Sequence, residues 1–145
     1  MAITLYDKSI IDRVDWQVLT ALLAAGGLNQ RDPALVEQAW RNSTFCWFGY
    51  HDGKLVATAR AISDLTWASY VADIVVAPEM QGRGYGKQLM SDIVKTLLPF
   101  GKTFIYSVPE KTAFYQQYGF RFLTTGMVCA TSESLFKLEQ SGYIR

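Results

Sequence analysis

Histidine is almost missing from this chain, and cysteine and proline are scarce: the 145 residues hold 1 His, 2 Cys and 4 Pro. A lone His51 excludes a multi-histidine metal site and leaves little room for a Ser-His-Asp triad. Cys46 and Cys129 are far apart and outside any CxxC pairing, so they form neither a metal-ligand pattern nor a disulfide framework. A reducing cytoplasm is the expected setting. Neither charge dominates: 14 Lys+Arg face 13 Asp+Glu, net +1, which argues against a dedicated nucleic-acid binder. The longest apolar run, Leu19 to Leu28, is broken by Thr20, Gly26 and Gly27 and falls short of the roughly 20 residues a membrane span needs. Met1 to Asp12 carry Asp7 and Asp12 and no long apolar core, which argues against a signal peptide.

Apolar residues are plentiful, at 50%, which excludes a disordered chain. A chain of this length is expected to fold as one domain over residues 1–145 and to bury about 68–70% of its unfolded surface without a disulfide or metal. Ala2 to Tyr6 reads as a short strand. From Ile11, the positions Val14, Val18, Leu19, Leu22 and Leu23 keep helical spacing until Gly26-Gly27. Asp32-Pro33 gives a cap and a first-turn proline for a second helix. Strands follow over Thr44–Tyr50, Lys54–Ile62 and Trp67–Val76, the first two joined by Asp52-Gly53, a strong hairpin signal. Pro78 ends the third. Then comes Gln81-Gly82-Arg83-Gly84-Tyr85-Gly86 and an amphipathic helix with Tyr85, Leu89, Met90, Ile93, Val94, Leu97 and Leu98 on its apolar face, closed by Pro99. A strand is expected over Thr103–Val108, a short helix over Glu110–Tyr118 capped by Gly119, and closing strands over Phe120–Leu123, Met127–Ala130 and Leu135–Leu138. The class is mixed α/β with a mostly antiparallel sheet.

A strand that runs through a glycine-rich turn into a helix makes an anion site. The first helical amides lack intrahelical partners, the dipole favours negative charge, and glycine lets the backbone come close. Arg83 and Lys87 add positive charge. The bland alternative is a tight turn with solvated basic residues. A dinucleotide loop needs GxGxxG after the first strand, and a triphosphate loop needs GxxxxGK followed by Ser or Thr. Here the glycines read GxGxG late in the chain, and Lys87 is followed by Gln88. Both nucleotide readings fail.

The segment Val76-Ala77-Pro78-Glu79-Met80-Gln81-Gly82-Arg83-Gly84-Tyr85-Gly86-Lys87-Gln88-Leu89-Met90 closely resembles the acetyl-coenzyme A signature of the GNAT N-acetyltransferase superfamily, Gln/Arg-x-x-Gly-x-Gly/Ala. Ala113-Phe114-Tyr115-Gln116-Gln117-Tyr118-Gly119-Phe120 is similar to that family's Phe-Tyr-x-x-x-Gly-Phe segment. Arg60 to Asp64 and Asp73 to Val76 look like small enzymes related to aralkylamine (serotonin-type) acetyltransferases. The resemblance implies a GNAT fold: a mixed sheet flanked by about four helices and splayed between its fourth and fifth strands.

It also implies direct transfer of an acetyl group from acetyl-CoA to a primary amine, with no metal. On that reading Gln81, Gly82, Arg83, Gly84, Tyr85, Gly86 and Lys87 hold the pyrophosphate, and the backbone of Val75 and Val76 faces the developing oxyanion. Asp73, a carboxylate interrupting an apolar strand, is the leading base, directly or through water, with a pKa expected to be raised by desolvation; its alternative is an exposed strand carboxylate that merely repels its neighbours or pairs with Arg60. Glu79 is the second candidate base, or else a solvated loop acid. Tyr115 matches the family's proton donor to the departing thiolate; its alternative is packing. Many relatives carry an asparagine on the pantetheine arm, where this chain has Pro109-Glu110-Lys111, so Ser107 or backbone groups would substitute.

The acceptor region is aromatic, with Trp16, Trp40, Phe45, Trp47, Phe48, Tyr50, Trp67 and Tyr70. Trp67 and Tyr70, with Asp64 to attract an ammonium group, point to a small arylalkylamine or polyamine; core packing and an ordinary turn aspartate are the alternatives. The competing functions are a protein or peptide N-acetyltransferase and a non-catalytic acyl-CoA-binding regulatory module. Family analogy also allows a homodimer.

Overall fold

A computed structural model describes residues 2–145 of the chain. Two compact units make it up, Met1–Ile105 and Tyr106–Arg145.

The first unit carries one sheet with strands in chain order: β1 (Thr4–Tyr6), β2 (Phe45–His51), β3 (Lys54–Ser63), β4 (Ala68–Val76) and β5 (Lys102–Phe104). All neighbours are antiparallel except β4 and β5, which run parallel. Helices α1 (Trp16–Ala25) and α2 (Pro33–Arg41) lie between β1 and β2, and α3 (Tyr85–Leu97) connects β4 to β5.

Local chemistry sets most of these boundaries. Asp15 and Asp32 cap α1 and α2 by accepting backbone N–H bonds from their first turns. Ile11 lies in a 3-10 turn over Lys8–Arg13, so the expected first helix begins only at Trp16, after its cap. Asp52 and Gly53 both take left-handed φ, 50° and 75°, the twist a two-residue hairpin needs. Asp64 closes the next turn: its Oδ1 accepts from the amides of Thr66, Trp67 and Ala68.

β3 is the centre of the core. Leu55 to Ala59 are buried in an unbroken run, which requires cover on both faces. Neighbouring residues of β2 show where that cover comes from. Cys46 donates its thiol hydrogen to the Trp40 carbonyl of α2, while the Trp47 indole donates to Asp92 of α3 at 2.8 Å. Consecutive strand residues point to opposite faces, so α2 and α3 lie on opposite sides of the sheet. Trp40 is fully buried and its indole N–H reaches Thr58 Oγ1. Gln88 of α3 bonds both the N–H and the carbonyl of Ile3, tying the first strand's approach to that helix.

Burial pushes the Cys46 thiol up to about 11, whereas Cys129 is exposed. At pH 8 a thiol reagent should therefore modify Cys129 alone in the folded protein, and Cys46 only after denaturant is added. Two equivalents of rapid release without denaturant would contradict this burial.

The second unit holds a 3-10 turn (Pro109–Lys111), α4 (Thr112–Gln116) and α5 (Ser132–Gln140). Three strand expectations are corrected here. Phe120–Leu123 and Met127–Ala130 are irregular, since neither run finds a ladder partner among the described residues. Leu135–Leu138 lies inside α5, where Thr131 caps the amide of Ser134 and Lys137 pairs with Glu133 one turn back at 3.2 Å. The strand expected over Thr103–Val108 shrinks to β5.

Candidate active site

The end of β4, the glycine loop and the start of α3 form one continuous feature within the first unit. After Val76 the chain makes a 3-10 turn over Pro78–Met80, and the Gln81 side chain donates back to the Val76 carbonyl at 3.2 Å. That bond ties the loop to the strand end. Gly82 and Gly84 both have φ of 83°. Gly84 is the N-cap of α3 and brings no side chain to its first amides. A Cβ at either glycine would meet nothing within 4 Å, so backbone conformation rather than packing requires glycine here. Gln81 to Gly84 and Lys87 are exposed. A helix start of this kind, uncapped and beside Arg83 and Lys87, suits an anion. Tyr85 differs from its neighbours. Its ring is buried, 5.8 Å from that of His51, so only its backbone is left for a ligand.

β4 is paired on one side only for much of its length. β5 pairs with it at Ala68, Ser69 and Tyr70, and no described strand pairs with that edge from Val71 to Val76. The sheet opens there. On the other side the register with β3 jumps from Thr58↔Val75 to Arg60↔Ala72, so Asp73 and Ile74 together face Ala59. This is a β-bulge. Asp73 sits in it with φ of 56°.

Asp73 differs from its sequence reading. Burial pushes its carboxyl upward, but hydrogen bonds from Arg31 and Arg60 and their charges outweigh that and hold it below its usual value. The expected raised pKa is therefore corrected. Arg31 Nη2 meets Oδ1 and Arg60 Nε meets Oδ2, both at 2.8 Å. Glu79 is exposed and 3.4 Å from Lys54; hydrogen bonding from its own amide, then from Lys54, lowers its pKa. Asp64 is held low by the backbone amide of Ala68 first, then those of Trp67 and Thr66, all three bonding its Oδ1. Trp67 is 79% exposed, and Tyr70 is half-buried. Of the expected oxyanion strand, the Val75 side chain is buried and Val76 half-buried.

Residues 15–120 match the Acetyltransferase (GNAT) family. The chain belongs to the GNAT acetyltransferase family. It is 33% identical over 106 residues to GCN5-related N-acetyltransferase 1, chloroplastic, of Arabidopsis thaliana, covering 70% of this chain and 54% of that protein. It is 31% identical over 113 residues to serotonin N-acetyltransferase 2, chloroplastic, of Oryza sativa subsp. japonica, covering 74% and 56%. The chain thus spans little more than half the length of these curated relatives. Among solved structures, a GNAT family acetyltransferase of Streptococcus pneumoniae superposes with a TM-score of 0.75 at 23% identity, covering 90% of this chain and 98% of that one. A predicted acetyltransferase of Clostridium acetobutylicum, solved with acetyl-CoA, gives 0.64 at 12% identity, covering 88% and 96%. These two likenesses concern the fold.

The second GNAT motif lies in the second unit. Tyr115 of α4 is half-buried, edge-on to Phe114 at 5.2 Å and to Phe120 at 6.1 Å. Burial, then Tyr143, raises its pKa. Ser107 donates its hydroxyl hydrogen to the Val108 carbonyl at 2.6 Å, so its oxygen is the part left to accept. Among the described residues no cluster could hold a metal, and no helix is long and apolar enough to cross a membrane.

Sequence reasoning did not find Arg31, or the close approach at Gly26. Arg31 lies in the linker between α1 and α2, 42 positions from Asp73, with no local pattern to mark it. A Cβ on Gly26 would overlap Val75 Cγ2 and lie 3.3 Å from Val75 Cβ. The glycine pair announced a helix end but not this close approach.

Proposed function

We propose that the chain is an acetyl-CoA-dependent N-acetyltransferase that acetylates a primary amine, of which a small arylalkylamine or polyamine is the first class to test. The supporting observation is the left-handed Gly84 cap, which opens the first amides of α3 to an anion at the end of a strand whose outer edge pairs with no described strand from Val71 to Val76. The donors fit a pyrophosphate: backbone N–H groups at a helix start, two adjacent cations and no side chain in the way. The acyl carbonyl would then lie along the open edge of β4, where backbone N–H groups can meet charge as it develops.

On this reading the amine nitrogen bonds to the thioester carbonyl carbon, the carbon–sulfur bond breaks and its electron pair leaves on sulfur. Tyr115 gives the sulfur its proton, since a phenol held protonated by burial is a competent donor to a thiolate. The proton lost by the amine passes to water, which reprotonates Tyr115, because Asp73, paired with Arg31 and Arg60, and Glu79, held low by its own amide and then by Lys54, are weak proton acceptors. Trp67, exposed beside the start of β4, offers a ring to an aromatic or cationic acceptor. The rice relative's name, a serotonin N-acetyltransferase, supports an arylalkylamine. The cytoplasmic setting read from the cysteines is part of this proposal, and the chloroplastic relatives make a plastid the competing compartment.

Calorimetry with acetyl-CoA, followed by thiol release against a panel of free amines and lysine peptides, tests the reading. Free amines should support turnover. Turnover on peptides alone would move the acceptor to protein, and binding without turnover on either would favour a regulatory module. Gly84→Val should weaken acetyl-CoA binding about tenfold or more, because a β-branched residue resists this φ and fills the approach to the amides. Unchanged affinity would remove the loop from the site.

A further inference from the structure

Three charged side chains meet at the bulge in β4, and each belongs to a different segment. Arg31 comes from the α1–α2 linker, Arg60 from β3 and Asp73 from the bulge itself. Each carboxylate oxygen has its own guanidinium at 2.8 Å. The Asp73 side chain is only 10% exposed. Arg60 also lies over Trp40, with the guanidinium carbon 5.3 Å from the ring centroid. Asp73 occupies a left-handed conformation that a non-glycine residue keeps only when its surroundings hold it there. A second contact lies two residues on, where the end of α1 presses on β4: Gly26 leaves no room for a side chain against Val75. The α1–α2 segment therefore bears on β4 at positions 73 and 75, next to the strand's open edge.

We propose that Asp73 is a positioning residue: clamped by Arg31 and Arg60, it fixes the β4 bulge and thereby aims the backbone of Ile74 to Val76 at the acyl group of acetyl-CoA. This rests on the acetyl-CoA reading above. A carboxylate with a guanidinium on each oxygen has little capacity to take a proton from an amine, but it is well suited to hold backbone in a costly shape. Bulges beside active sites commonly re-aim the strand in this way. The α1–α2 linker then does more than border the acceptor region, since through Arg31 it sets the geometry of the strand that meets the thioester.

The base and positioning roles predict opposite results for one substitution. If Asp73 were the base, Arg31→Gln would raise its pKa, moving the ascending limb of the pH–rate profile upward, and Asp73→Asn would abolish that limb. If it positions β4, Arg31→Gln and Asp73→Asn each lower kcat about tenfold and leave the shape of the profile unchanged. The double variant is then no worse than the poorer single one, because both break the same unit. Arg31→Lys restores part of the rate.

The same variants of the full chain are titrated with acetyl-CoA and with CoA. Positioning predicts that affinity for CoA is kept while the advantage of acetyl-CoA over CoA shrinks, since only the acyl contact is lost. Variants that keep both the wild-type kcat and the wild-type affinity ratio overturn the proposal, as does a shifted ascending limb in Arg31→Gln. Wild-type protein that binds neither molecule overturns the acetyl-CoA reading itself. Thermal melts accompany each variant, and should Asp73→Asn unfold, Arg31→Gln decides alone.

Discussion

Gly101→Ala is expected to cost about 4 kcal/mol or more of stability, the largest effect expected for alanine at any glycine of the first unit. Gly101 sits between the end of the α3 segment and β5 with φ of 91° and ψ of −146°. That region is open essentially to glycine, and forcing alanine into it costs about 1–3 kcal/mol. The space is closed as well: the new Cβ would overlap the carbonyl of Trp67 and lie 2.8 Å from its Cα. Backbone cannot swing aside as a side-chain tip can. Relief requires Trp67 and Gly101 to part, which stretches the bond from the Lys102 N–H to the Trp67 carbonyl, 3.0 Å long and adjacent to the short β4–β5 ladder. Gly53→Ala is the control. Its φ of 75° is also left-handed, but a Cβ there meets nothing within 4 Å, so it should lose only about 1–2 kcal/mol. Denaturant melts compare the two. A Gly101→Ala protein within about 1 kcal/mol of the Gly53→Ala protein would show that β5 is free to move away from β4.

The contrast between these glycines also marks how far the sequence could be read. Signals contained within a few residues were legible. Asp32-Pro33 announced α2, Asp52-Gly53 announced the hairpin, and the glycine loop announced an anion site at the start of α3, because cap, turn and dipole act through neighbours in the chain. The splay between β4 and β5 followed only from the family resemblance, and their parallel pairing was not read at all. Nothing in Ala68 to Val76 says that pairing stops at Tyr70.

Features made by distant residues were not legible. Arg31 looks like any linker cation until the fold carries it to Asp73. Asp73 itself was given a raised pKa from its apolar neighbours, with a pair to Arg60 only as the alternative, and desolvation without partners gives the wrong sign. The α5 error has a different origin. The run Leu135-Phe136-Lys137-Leu138 suits a strand by composition, but Thr131 and the Glu133–Lys137 spacing were local helix signals available in the chain.

Tyr115→Phe should lower kcat about 100-fold while leaving acetyl-CoA affinity unchanged. The substitution is clean because the tyrosine ring is held by rings. Phe114 and Phe120 meet it edge-on at 5.2 and 6.1 Å, and phenylalanine keeps both contacts. What is lost is one hydroxyl and its proton. A fall in rate with no change in melting or cofactor binding therefore assigns that proton to the reaction, most directly to the sulfur that leaves with an electron pair. The pH dependence adds a second reading. Burial and then Tyr143 place the phenol above its ordinary value of 10.0, so the donor keeps its proton through the neutral range and the wild-type rate should decline only above about pH 10. That descending limb should vanish in Tyr115→Phe, leaving a low, level rate. A variant that turns over at the wild-type rate would make Tyr115 a packing residue of α4, and the thiolate would then take its proton from water.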